Sequence, residues 1–166
     1  NMPLTKLNSA SVIERLPIGS VIQTKQGGRT TRTTVDQTTF TDIGVSVLIT
    51  PTSTTSEILV TVSGILGNSV NNGYFSLLKI FRDNTEIGSG TGATNYNSFV
   101  AHLMAENYGT NGFSQQYLDS PNSTSAITYS LKLAAQSGSV ATVGGRGDNN
   151  TAHAAPTTIT VQEIKR

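Results

Sequence analysis

The sequence predicts an all-β chain folded as an antiparallel β-sandwich, and three observations carry that expectation. Residues 42–66, DIGVSVLITPTSTTSEILVTVSGIL, contain two runs in which apolar and polar positions alternate. Val45, Val47 and Ile49 share one face of the first run; Ile58, Val60, Val62 and, after Gly64, Leu66 share one face of the second. A period of two with Val, Ile and Thr enriched marks strands that bury one face. Further short runs of this kind follow at sandwich-like spacing, separated by clusters of Gly, Asn, Ser and Pro. Charged residues make up 13% of the 166-residue chain, against about 25% in an average soluble protein. Ser and Thr supply about a quarter of the chain, so neutral hydroxyls and amides dominate the expected surface.

Each element can be justified in order. Residues 1–17 form an N-terminal arm or short helix, with Leu4, Leu7, Ile13 and Leu16 as its apolar members and Pro17 as its end. It is too short to stand as a helix without packing. The sandwich domain then occupies residues 18–166. Its first strand is expected over 18–26, followed by a Thr-rich loop over 27–41 with a short strand near 33–39. Pro51 removes a ladder donor and opens the loop between the two strands of 42–66. Residues 73–82 (GYFSLLKIFR) and 85–88 (TEIG) flank Asp83-Asn84, a pair suited to a tight hairpin turn. Strands over 98–105, 113–119, 126–135, 140–143 and 157–164 complete the set.

One strand is apolar on both faces. Phe75, Leu77 and Phe81 alternate with Tyr74, Leu78 and Ile80. One row can fill the space between two sheets, and the other needs cover because large exposed apolar patches are rare on monomers. These six residues are the predicted interface between copies of the chain; cover by a loop of the same chain is the competing arrangement.

Composition also limits function. A net charge of +1 argues against nucleic acid as the main partner. The basic cluster Lys25, Arg29 and Arg32 lies in QGGRTTRTT and reads as a solvated loop. The absence of cysteine excludes disulfides and thiolate metal sites. No apolar run of membrane-spanning length occurs, so no membrane insertion is expected. The ten carboxylates are scattered, and most fall at strand ends or turns where they bond backbone amides. A pair facing each other, as in a glycoside hydrolase, is not legible. His102 and Glu106 are four apart, but the segment reads better as strand than helix, and two ligands do not make a tight metal site. No catalytic residue, cofactor or metal is therefore expected. Arg146-Gly147-Asp148 spells an integrin-type tripeptide, and a glycine-rich turn is the simpler reading.

Four segments in order, GSVIQ (19–23), ITPTSTTSEILVTVSG (49–64), YLDSPNSTSAITYSLKLAA (117–135) and ITVQEI (159–164), resemble short phage and phage-like virion proteins that serve as tail-fibre tips, spikes or surface decorations. The resemblance implies a jelly roll similar to the tumour-necrosis-factor and complement-head type, assembled as a homotrimer on the virion surface. It implies an attachment role, with host-surface glycan as ligand and other virion proteins met through the N-terminal arm. A capsid decoration or cement role is the alternative, and a glycan hydrolase a third. For a glycan, the best residues are loop aromatics beside amides: Tyr96 with Asn97, and Tyr108 with Asn111. Their rings and amides match the C–H faces and hydroxyls of sugars.

Overall fold

The computed structural model describes residues 9–69, 73–104, 108–148 and 153–166. A short helix α1 (Ser9–Arg15) precedes β1 (Val21–Arg29), β2 (Thr33–Val35), β3 (Thr41–Ile49), β4 (Glu57–Asn68), β5 (Tyr74–Arg82), β6 (Thr85–Ile87), β7 (Val100–Met104), β8 (Thr110–Asp119), β9 (Ile127–Ala135), β10 (Ala141–Val143) and β11 (Thr157–Ile164). All pairings among these strands are antiparallel. One sheet, called A, runs β8-β4-β11-β1, with β10 and β2 continuing beside the far half of β4. The other, B, runs β3-β9-β5, with β7 and β6 sharing the remaining side of β5.

The chain crosses between the sheets at every principal step except β5 to β7, and its eight principal strands fall into the orders 1-11-4-8 and 3-9-5-7. Two four-stranded sheets wound this way are a jelly roll. The expected all-β sandwich is therefore present, and its jelly-roll order follows from the pairing alone.

The core is the space between the sheets. Along β3, Ile43, Val45, Val47 and Ile49 are buried while their neighbours are exposed. Ile58, Val60, Val62 and Leu66 of β4 and Ile159 and Val161 of β11 meet them from sheet A, all six at 0% exposure. The period-two pattern of 42–66 thus does in packing what it promises in sequence.

Two expectations need correction. β1 does not stop before the glycine pair; Gly27, Gly28 and Arg29 pair with Ile159, Thr158 and Thr157 inside the strand. The glycines are there because β1 leans against β3: a Cβ on Gly27 would collide with the Ser46 carbonyl. The basic cluster is also not one loop: Lys25 and Arg29 are exposed but stand on β1, and Arg32 is half-buried. Arg29 donates to Thr31 Oγ1 and to the Ile43 carbonyl, and Arg32 donates to the Arg146 and Asp148 carbonyls.

The doubly apolar strand of the sequence is β5. Leu78 and Ile80 face the inter-sheet core at 0% exposure, and Leu77, on the other face, is only 3% exposed within the single chain. Tyr74, Phe75 and Phe81 are half-buried. The outer row is covered by the chain itself: Tyr96 packs on Phe75, and the Lys132 ammonium sits 4.0 Å from the Phe81 ring centroid. Phe40 lies in turn over Lys79. Loops and lysine stems thus cover part of this row within one chain, while Phe75 and Phe81 keep partial exposure.

Of the two forms expected at the N-terminus, residues 9–15 take the helical one. It is tied to its own chain: Lys165 Nζ donates to the carbonyls of Ile13, Glu14 and Leu16 at 2.7–2.9 Å. These are the orphan acceptors of a helix end, where a cation also complements the dipole.

Candidate functional site

Two polar clusters fix the loops at the rims of the sandwich. At one rim, Glu163 of β11 is fully buried and accepts from Gln23 Nε2, Thr52 N and Thr52 Oγ1, each at 2.7 Å. Burial pushes its carboxyl upward, but the bonds from Gln23, Ser56 and Thr52 outweigh burial and hold it below the ordinary carboxylate range. The hydroxyl-rich loop after Pro51 is thereby clamped to β1 and β11. The second cluster joins the sheets. Asp119, ending β8, takes Arg82 Nη1 at 2.9 and 3.0 Å and the Tyr129 hydroxyl at 2.7 Å. Burial, then the Asp119 bond, pushes the Tyr129 phenol far above its usual range, so it stays a donor.

Four other carboxylates are occupied in much the same way. Asp42 accepts from Gly44 N, Asp83 from Thr128 N, and Glu57 pairs with Arg166. Glu86 pairs with Lys79 at 2.7 Å. Burial tends to raise the Glu86 carboxyl, and bonds from Lys79 and Ser89 turn the balance and lower it. Among the described residues no group of three or more His, Asp or Glu is placed to hold a metal. His102 lies on strand β7, directly opposite Ser76, and burial lowers its pKa, so it is neutral at pH 7. Glu106 lies outside the described residues.

The tripeptide at 146–148 is built into the fold. Arg146 pairs with Asp148 at 2.9 Å, their backbone carbonyls accept from Arg32, and a Cβ on Gly147 would strike the Asn68 backbone. A segment held in this way does not offer its Arg and Asp to a receptor.

The predicted ligand residues fall in two separate places. Tyr96 and Asn97 belong to the loop between β6 and β7, where the Tyr96 ring lies 5.5 Å from that of Phe75 and Asn97 Oδ1 accepts from Ala93 N. Tyr108, at φ 60°, precedes β8 and carries Arg146 over its ring. Asn111 is on β8 in sheet A, its amide directed at the Met104 sulfur. No hydrogen bond or ring contact joins the two pairs among the described residues.

Two clefts lie among the described residues. The larger, of about 530 Å³, lies between α1 and the 52–56 loop, with Ile13, Ile22, Lys165 and Arg166 in its wall. Both of its cations and Thr52 are already committed: Lys165 caps α1, Arg166 holds Glu57, and Thr52 holds Glu163. The smaller, about 370 Å³, opens beside the outer face of sheet B and is lined by Lys79, Glu86, Ser89, Thr91 and Asn97 with intervening glycines. It combines an ion pair, an amide and two hydroxyls, the groups that read the hydroxyls of a polar ligand. We take it as the candidate site for that reason, although it is the smaller of the two. Sequence reasoning found Asn97 but missed Lys79 and Glu86, seven apart along the chain and joined only by the β5–β6 hairpin.

No known protein family matches the chain, and no curated protein sequence does. Solved structures give a likeness at low identity. The VP2 protein of infectious bursal disease virus, as a D431N mutant in derived T=1 particles, is 14% identical with a TM-score of 0.41. The alignment spans 87% of this chain and 36% of that one. The VP2 subviral particle of the same virus gives 13% identity, 86% and 37% coverage, and a TM-score of 0.41. The chain thus corresponds to little more than a third of the proteins it matches. The jelly-roll assignment stands on the strand order above.

Proposed function

We propose that this chain is a non-catalytic surface protein of a virus particle, acting in attachment, with glycan as the ligand of the cleft beside sheet B. The order of the four segments that resemble phage-like virion proteins supports the location. The observation that carries the binding role is the cleft itself: Lys79, Glu86, Ser89, Thr91 and Asn97 gather around a space of about 370 Å³ on a rigid scaffold. Tyr96, 37% exposed and stacked on Phe75, stands in the loop that also supplies Asn97. Recognition residues on loops held by a β framework are the common arrangement. Carboxylates held by backbone amides and by Arg or Lys serve structure better than proton transfer, which supports a role without turnover.

The test is a glycan array probed with the full chain and with Thr91→Ala and Asn97→Ala. Binding to a defined set of glycans, weakened about tenfold or more by either change and without release of reducing sugar, is the expected result. Binding that ignores both substitutions would remove the site, and sugar release would restore the hydrolase reading.

A second reading, decoration of a capsid, is favoured by the outer face of sheet A. Thr24, Gln162, Leu59 and Leu118 form one row across four strands, and Gln26, Thr160, Thr61 and Gln116 the next. Amide-to-hydroxyl bonds such as Gln26 to Thr160 and Gln116 to Thr61 lock these rows. A broad face without charge suits docking on another protein surface better than steering a ligand.

A further inference from the structure

Sheets end in edge strands, and edges expose unpaired backbone donors and acceptors that invite another strand. This sandwich treats three of its edges as proteins usually do. β1 and β3 close on each other: Gln23 Nε2 donates to the Thr50 carbonyl and Arg29 to the Ile43 carbonyl, capping the edge of β3. Both strands also carry register shifts, between Val21 and Gln23 and between Asp42 and Ser46. The edge opposite, in sheet B, is divided between β6 and β7, of three and five residues.

β8 is handled differently. It is ten residues long and pairs with β4 in unbroken register from Thr110 opposite Gly67 to Asp119 opposite Ile58. None of the described backbone bonds reaches it from any other strand. Thr110 to Leu118 contain no charged residue, no histidine and no proline. The one carboxylate, Asp119, is turned inward to Arg82 and Tyr129. Length, unbroken register and neutrality together make β8 the one long open edge among the described strands.

We propose that β8 is a strand-addition surface and that its occupant is β8 of a second copy of this chain, antiparallel about a two-fold axis. The choice of occupant follows from the edge itself. A two-fold operation sets any edge strand antiparallel to its own copy, which extends the antiparallel order of sheet A without a break. With no ionisable side chain between Thr110 and Leu118, no like charges meet when the strand is laid against itself. Leu118, 44% exposed, and the neutral Gln116–Thr61 row would each face neutral residues of the partner's β8. The product is one sheet of eight principal strands, β1-β11-β4-β8 followed by its reverse.

Sedimentation velocity of the full chain, from low to high micromolar, tests this together with three variants. Ser114→Lys and Gln116→Lys place like charges across the proposed axis on exposed side chains; Thr24→Lys puts the same charge on the same face at β1, three strands away. The wild-type chain should pass from monomer to dimer mass as concentration rises. The two β8 variants should weaken the dimer about tenfold or more, with unchanged thermal midpoints, and Thr24→Lys should leave it intact. Because the chain has no cysteine, Ser114→Cys or Gln116→Cys oxidised at high concentration should yield a covalent dimer. A wild type that stays monomeric, a trimer, or a dimer indifferent to the β8 lysines would overturn the proposal. So would a strand of another protein found paired to β8. None of these outcomes bears on the glycan cleft, which lies on the other sheet.

Discussion

Glu163 is the residue on which most local order depends, since its two oxygens take bonds from β1 and from the loop after Pro51. Glu163→Gln keeps the shape but turns an acceptor pair into one acceptor and one donor, leaving a donor facing Gln23 or Thr52. A loss of about 2–4 kcal/mol is expected, read from urea unfolding. The pH dependence has a definite sign. Because the folded carboxyl is held below its ordinary value of 4.5, its contribution is present above that value and disappears as pH falls through the folded pKa. The wild-type chain should therefore lose stability steadily below about pH 4.5, and Glu163→Gln should flatten that slope. At the second cluster, Tyr129→Phe removes the hydroxyl that reaches Asp119 and is expected to cost about 1–2 kcal/mol by the same assay. Neither partnership is legible in the sequence: Glu163 lies 111 residues from Thr52 and 140 from Gln23, and no local pattern encodes contacts of that range.

At the scale of elements, legibility depended on periodicity. Strands that bury one face announce themselves, and β3, β4, β9 and β11 stand where alternation placed them. β1 was misplaced at its end because Gly27 and Gly28 look like a turn; in the fold they are the price of bringing two sheet edges into contact. Gly27→Ala tests that explanation, since its methyl would meet the Ser46 carbonyl. The β1–β3 seam should open, with a stability loss of about 2–3 kcal/mol and faster amide exchange in β1 than in β4. β8 begins three residues earlier than expected, since Thr110-Asn111-Gly112 reads as loop by composition but pairs with Leu66 and its neighbours in sheet A. The row of Phe75, Leu77 and Phe81 shows where periodicity stops being informative. Its hydrophobicity is real, yet sequence does not say which part of the chain will cover it, and here Tyr96 and Lys132 do.

For the whole molecule, the result is a jelly roll whose core lies between its own two sheets. Its two sheets meet through aliphatic side chains at or near zero exposure, and its rims are held by Glu163 and by the Asp119–Arg82–Tyr129 group. Such a scaffold leaves its surface free for recognition: a cleft beside sheet B, a neutral face on sheet A and an open edge at β8. The account turns on the cleft being where ligand is read without being cut. Backbone NMR of the labelled chain, titrated with the glycans that bind on an array, tests this most directly. The account predicts shift changes concentrated at Lys79, Glu86, Ser89, Thr91 and Asn97, with the glycan recovered unaltered. Shifts clustered instead around Thr52 and Arg166, or a cleaved glycan in the tube, would contradict it.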